Sequence, residues 1–236
     1  MSRADLMVAP ERSFLRVNEI FKAHQGEGPW SGRYVHFLRL TGCNLDCSWC
    51  DTPYTWDWDG KNGQAYDREQ ETKLMSVDEI LHHMPGTRTV ISGGEPMLQS
   101  SKLLALFDVA SVNRKWQIET NGTRPPIVRD NVLNVVSPKL ANSGIEQRKR
   151  LSPTNLRRYA ESGAHFKFVV ADETDLAEVE LIVKKVKLLN SHVWLMPEGA
   201  TVDLSLWRKV SDWALSRSWN FSARTHALLW GDQRER

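Results

Sequence analysis

Cys43-Asn44-Leu45-Asp46-Cys47-Ser48-Trp49-Cys50 carries all three cysteines of a 236-residue chain, spaced CxxxCxxC. Thiolates are soft ligands suited to zinc and to iron–sulfur clusters, and such tight clustering suits one metal centre. A structural zinc or a closed cluster takes four protein ligands, and the chain has no fourth cysteine. A four-iron cluster held by these three keeps one iron open to a non-protein ligand. An open metal position points to chemistry rather than to a structural staple. Two blander readings compete: three inert buried thiols, and a zinc knuckle completed by His36 or a nearby Asp.

Outward from this stretch, composition narrows the class. An odd, clustered cysteine count argues against a disulfide framework and for a reducing compartment, so the expectation is cytoplasmic. The 31 basic and 29 acidic residues are interspersed, with a formal charge of only +2. That balance gives neither a nucleic-acid groove nor a polybasic membrane patch. Residues 1–17 lack the apolar core of a signal peptide, and no apolar run approaches the ~20 residues that span a bilayer.

The order of elements sets the fold. Residues 1–15 read as a loosely held arm and Val17–Phe21 as a short strand leading to Gln25-Gly26-Glu27-Gly28-Pro29. Glycines in that loop let backbone approach a ligand, and Gln25 and Glu27 offer a donor and acceptors, but by themselves these residues fit an ordinary glycine turn equally well. Arg33–Leu40 is strand-like and nearly continuously apolar, as a buried parallel strand would be. Arg39 interrupts it, and its planar fork needs a carboxylate partner, either an internal acid such as Glu27 or a ligand. Residues 53–75 read as a loop insertion over the cysteines. Ser76-Val77-Asp78-Glu79 is a capping box opening a helix to about Met84. Further strands are expected at Thr87–Ile91, Trp116–Glu119, Val132–Val136, His165–Val170 and His192–Met196. Helices are expected up to about Val109, over 174–189 and over 204–215, with an extended stretch near Trp219–Ala223. Short strands alternating with helices predict an α/β fold with a parallel sheet. Eight complete βα units do not fit this length. The prediction is a single domain over 1–236, an incomplete, open parallel β/α barrel of about six core strands.

The cysteine spacing, with Trp49 before the last cysteine, resembles the cluster loop of the radical S-adenosylmethionine superfamily. The flanks narrow it further. His24-Gln25-Gly26-Glu27-Gly28, Phe37-Leu38-Arg39, Cys50-Asp51-Thr52, Ser92-Gly93-Gly94-Glu95-Pro96, Glu119-Thr120-Asn121-Gly122 and Ser137-Pro138-Lys139 follow in one order. Together, from about residue 17 to about 231, they resemble the 7-carboxy-7-deazaguanine synthase family, lyases of queuosine-type 7-deazapurine biosynthesis. The resemblance implies a [4Fe–4S] cluster on Cys43, Cys47 and Cys50, S-adenosylmethionine on its open iron, and Mg²⁺ at Thr52. It places a pterin substrate among His24, Gln25, Gly26, Glu27, Arg39, Ser92 and His226, with Arg39 on the substrate carboxylate. It assigns Gly94, Glu95, Glu119, Ser137, Lys139 and Glu198 to the cofactor: Glu95 toward its methionine ammonium and Glu119 toward its ribose. A flavodoxin-like electron donor and a homodimer are implied as well.

The implied reaction converts 6-carboxy-5,6,7,8-tetrahydropterin to 7-carboxy-7-deazaguanine with loss of ammonia, by radical ring contraction. The alternative is another radical enzyme on the same scaffold, such as a glycyl-radical activase. That reading explains the cysteines but not the Gln25–Gly28 loop with Arg39. One departure stands out. Some members close the pocket with their own C-terminus, whereas this chain runs on ten residues past His226, to Arg236.

Overall fold

The structure is a computed structural model that describes residues 13–199, 201–231 and 233–235. Its strands are β1 (Phe14–His24), β2 (Tyr34–Leu40), β3 (Lys73–Ser76), β4 (Arg88–Gly93), β5 (Lys115–Thr120), β6 (Val132–Val136), β7 (His165–Val170), β8 (Val193–Pro197) and β9 (Asn220–Phe221). They form one sheet in the order β3-β1-β2-β4-β5-β6-β7-β8-β9, open at both edges. From β2 to β9 every pairing is parallel, while β1 runs antiparallel to both β2 and β3. The expected open β/α barrel is present, with β2, β4, β5, β6, β7 and β8 as its parallel centre. Helices follow as α1 (Val77–His83), α2 (Ser100–Val109), α3 (Gln147–Arg150), α4 (Pro153–Glu161), α5 (Glu173–Val186), α6 (Leu204–Ser216) and α7 (Thr225–Trp230). Among the described residues no helix is long and apolar enough to cross a membrane.

Two boundaries differ from the sequence reading. Most of the expected arm, residues 1–12, lies outside the described residues, and Phe14 and Leu15 already belong to β1, with Leu15 fully buried. The expected loop over 53–75 ends in β3, whose Lys73–Ser76 pair with Phe14–Val17. An edge strand with Lys73 and Leu74 exposed carries no clean alternation, so its sequence reads as loop.

Side chains of a strand alternate between its two faces, and here the alternation separates core from site. Leu38 and Leu40 on β2, Trp116 and Ile118 on β5, Phe166, Phe168 and Val170 on β7, and Val193 and Leu195 on β8 are all buried in the core beneath the helices. Each fully buried Leu, Val or Phe contributes ~1.5–3 kcal/mol relative to exposure. Their neighbours Phe37 and Arg39, Glu119, Lys167 and Val169, and Met196 instead line a cavity. The strands are therefore two-faced, and the nearly continuous apolar run of β2 hid an inner polar face.

The capping box at Ser76 is formed as expected. The Glu79 amide donates to Ser76 Oγ at 3.3 Å, and the Ser76 amide donates to Glu79 Oε2 at 2.7 Å. Ser76→Ala should cost about 1 kcal/mol. In a chain of this size, that lowers the thermal midpoint by roughly 2–4 °C. A melting curve unchanged within a degree would show that the packing of β3, not the cap, holds the start of α1.

Candidate active site

The ends of the parallel strands open into a cavity of about 670 Å³. Cys43, Cys47 and Cys50 all border it, on the loop that follows β2. Cys47 is buried with Leu45 and Ile145, and Cys43 and Cys50 pack against that group. Cys43 Sγ accepts the Leu45 amide at 3.5 Å, and Cys50 Sγ accepts the Trp56 indole N–H at 3.2 Å. Burial pushes the Cys43 thiol up to about 12 and also raises that of Cys47, where the charge of Lys139 works against it. Three soft donors bordering one open space, with N–H groups aimed at two of them, fit an iron–sulfur cluster. Among the described residues no three His, Cys, Asp or Glu side chains converge on a single metal ion. His36 lies inside β2, packed against Gly86 and the Tyr34 ring, away from the cavity.

The loop after β4 touches the cysteine loop backbone to backbone. The Gly94 amide donates to Leu40 O at 3.1 Å and the Glu95 amide to Gly42 O at 2.8 Å. A Cβ on Gly94 would lie 2.2 Å from Gly42 O, so only glycine fits this approach. Ser92, Gly93 and Gly94 border the cavity. Glu95, expected at the cofactor ammonium, is not among the residues that border it. It is buried, and its oxygens accept from the Met97 amide (2.9 Å), Thr120 Oγ1 (2.7 Å) and the Asn121 amide (2.7 Å). Burial raises its carboxyl in spite of these three donors. Glu95 thus ties the loop after β4 to the end of β5.

Glu119, Ser137, Lys139 and Glu198 all border the cavity. Lys139 Nζ donates to Ser137 Oγ at 3.1 Å and lies 5.2 Å from the Trp49 ring centroid. Glu119 is already engaged, accepting from Gln117 Nε2 at 2.6 Å, Gln25 Nε2 at 3.2 Å and Lys167 Nζ at 3.0 Å.

His24, Gln25, Gly26 and Glu27 line the opposite wall with His226, at the start of α7. A Cβ on Gly26 would fall 2.3 Å from His226 Nδ1, so this glycine lets the two segments meet, and the Thr225 amide donates to Gly26 O at 3.1 Å. Glu27 sits among three basic groups: Lys167 Nζ at 2.5 Å, Arg224 Nε at 3.3 Å and His226 Nε2 at 3.8 Å. Burial works to raise its carboxyl, but Lys167, Arg224 and His226 outweigh it and hold Glu27 well below the usual carboxylate range. Burial lowers the His226 imidazole, against the attraction of Glu27. Arg224 also donates to Asp51 Oδ2 at 2.7 Å and to Gly199 O, so it pins the segment after the third cysteine.

Arg39 borders the cavity and pairs through Nε with Glu19 Oε2 at 2.9 Å. The internal acid is thus Glu19, not Glu27. Its two Nη nitrogens make no hydrogen bond or ion pair with any described residue. Thr52 also faces the cavity, its hydroxyl 3.8 Å from Cys50 Sγ.

Sequence reading missed Lys167, Arg224, Asp51 and the C-terminal residues Gln233, Arg234 and Glu235, all of which line the cavity. Lys167 had a signal. A lysine within the apolar run Phe166–Val170 has to face something polar.

The chain is similar to several known proteins. The Radical SAM superfamily profile matches residues 38–137. A 7-carboxy-7-deazaguanine synthase of Hyperthermus butylicus is 38% identical, over 91% of this chain and 92% of its own. The protein of the same description in Pyrobaculum aerophilum is 34% identical, over 93% and 96%. Among solved structures, QueE from Escherichia coli matches with a TM-score of 0.67 at 25% identity, covering 89% of this chain and 93% of that one. SuiB from Streptococcus suis, at 15% identity, a TM-score of 0.51 and coverage of 78% and 47%, shares the fold alone.

Proposed function

The chain belongs to the 7-carboxy-7-deazaguanine synthase family of the radical S-adenosylmethionine superfamily, and on that premise we propose which of its residues serve the ring contraction of 6-carboxy-5,6,7,8-tetrahydropterin. The observation that carries the assignment is one cavity bordered by the three cysteines, the ionised Glu27 and the free edge of Arg39. When bound, the cluster and S-adenosylmethionine supply the one-electron chemistry that begins the reaction.

Cys43, Cys47 and Cys50 hold the cluster. Gly94, Glu119, Ser137, Lys139 and Glu198 border the same space and bind the cofactor. Glu27, kept ionised by Lys167 and Arg224, accepts the donor edge of the aminopyrimidinone, and Gln25 supplies a donor and an acceptor beside it. His24, Gly26, Ser92 and His226 complete the substrate wall, with His226 disposed toward its neutral form. Arg39 offers its Nη edge to the substrate carboxylate, bidentate and charge-assisted. All of this belongs to one domain that spans the chain. A flavodoxin-like reductant, a homodimer and residence in the cytoplasm complete the reading.

Arg39→Lys keeps the charge but loses the fork. Substrate affinity should fall by ~2 kcal/mol, roughly thirtyfold, with S-adenosylmethionine binding retained. Titration of wild type with an analogue lacking the carboxylate should give a comparable loss. Equal affinity for the two ligands would remove Arg39 from the substrate.

Mg²⁺ enters at Thr52. A hard ion takes oxygen ligands and keeps waters, so one hydroxyl serves it only together with substrate oxygens. Thr52→Ala should raise the Mg²⁺ needed for half-maximal turnover several-fold, and Thr52→Ser should restore it. Mg²⁺-dependent tightening of substrate binding should follow the same order. Curves that coincide for all three proteins would leave Thr52 as a turn residue.

A further inference from the structure

After α7 the chain turns at Gly231 and passes back along the cavity, which Gly231, Gln233, Arg234 and Glu235 border. Arg234 is held there by four features. Its Nε donates to Glu19 Oε1 at 2.6 Å, its Nη1 to Glu71 Oε1 at 3.1 Å and its Nη2 to Glu71 Oε2 at 2.9 Å, and its guanidinium lies 3.9 Å from the Tyr54 ring centroid. Glu71 is fixed in turn by Asn18 Nδ2 at 2.8 Å. Glu19 is therefore shared: Arg234 holds Oε1, and Arg39 Nε reaches only Oε2.

That division decides what Arg39 can do. Glu19 is buried, and a buried carboxylate beside a guanidinium closes on it bidentately unless another cation competes. With Oε1 drawn off by Arg234, Glu19 occupies only the Nε of Arg39 and leaves the Nη edge open to the cavity. Without Arg234, Glu19 would swing onto that edge, neutralise it and exclude an incoming carboxylate. We infer that Arg234 is a positioning residue for carboxylate recognition: from the C-terminal segment it restrains Glu19, so that the Arg39 fork stays free for the substrate. The inference rests on the assignment of Arg39 to the substrate carboxylate.

The test is the ratio of affinities for 6-carboxytetrahydropterin and for the tetrahydropterin lacking the carboxylate. Both are measured by equilibrium titration of the anaerobically reconstituted enzyme in the presence of S-adenosylmethionine. Arg234→Gln should weaken the carboxylated ligand by about tenfold or more, the scale of one charge-assisted contact, and leave the other ligand within twofold. A chain ending at Trp230 should behave as Arg234→Gln does, which guards against a local effect of the glutamine. The double variant Glu19→Gln/Arg234→Gln should recover the lost ratio, because the neutral amide that replaces the Glu19 carboxylate does not compete for Arg39; a merely structural role for Arg234 would give no such rescue. Arg39→Gln separates the two layers. If it keeps the wild-type ratio, the assignment of Arg39 is wrong. If it loses the ratio while Arg234→Gln and the truncation keep it, or if the double variant fails to restore it, the role inferred for Arg234 is wrong.

Discussion

Cys47→Ala should reduce cleavage of S-adenosylmethionine to background and abolish the iron–sulfur absorbance after anaerobic reconstitution, with the fold intact. The expectation follows from a donor count. Three thiols border the cavity, and the chain has no fourth. A site with no spare ligand cannot lose one and keep its cluster. Cys47 is buried against Leu45 and Ile145, where alanine removes one sulfur from a small apolar contact, so loss of the cluster would not be loss of the protein. Burial raises the thiols of Cys43 and Cys47, so both are protonated before the cluster forms, and assembly must release protons. Reconstitution should therefore become less complete as the pH falls. Cys47→Ala protein with full iron content and cleavage would refute the cluster assignment.

Lys167→Met is expected to have the second largest effect. Lys167 is buried in β7 and its ammonium bridges Glu27 Oε2 at 2.5 Å and Glu119 Oε2 at 3.0 Å, one carboxylate from each wall of the cavity. Desolvation alone would lower the lysine, but Glu119 and Glu27 outweigh it and raise it above its ordinary value. Removing the cation leaves two largely covered carboxylates without their shared partner, where deleting one side of a fully buried pair costs up to ~3–5 kcal/mol. Substrate affinity should drop by about a hundredfold or more and the thermal midpoint should fall, with Lys167→Arg intermediate. The pH dependence has a definite sign. The Glu27 carboxyl is held below its unfolded value, so its contribution is present above that value and is lost only as pH falls through the lower, folded one. Lys167 is raised, so its contribution is present below its unfolded value and is lost as pH climbs through the higher, folded one. Between these two limits the stability that the Glu27–Lys167 pair contributes should be flat with pH. A Lys167→Met enzyme with wild-type affinity would show that the bridge is not needed to hold the two walls.

What the sequence made legible was the set of positions where residue type is forced. Three clustered cysteines, the Gly93-Gly94 pair pressed against Leu40 and Gly42, and Gly26 against His226 are dictated by metal affinity and close approach. The apolar runs of β4, β5, β6, β7 and β8 marked the parallel strands because their core faces are mostly apolar. What stayed hidden were partnerships between distant charges. Glu27 pairs with Lys167 across 140 positions and with Arg224 across 197, and neither is signalled by local pattern. Glu95 reads from the sequence as a carboxylate beside two ligand-facing glycines; that two of its three donors come from Thr120 and Asn121 follows only from the packing of β4 on β5. The edge strand β3 and the returning C-terminal residues were invisible for a related reason: strand pairing holds the first and ion pairs hold the second, and neither presents a buried apolar face.

The central claim is that one cavity binds a carboxylated pterin and drives its ring contraction. It is tested most directly by incubating anaerobically reconstituted enzyme with 6-carboxy-5,6,7,8-tetrahydropterin, S-adenosylmethionine, Mg²⁺ and a chemical reductant, then identifying the products by mass spectrometry. The account predicts 7-carboxy-7-deazaguanine in repeated turnovers, with ammonia released in equal amount and no product without S-adenosylmethionine. Cleavage of S-adenosylmethionine with the pterin recovered unchanged would contradict it and assign the cavity to another substrate.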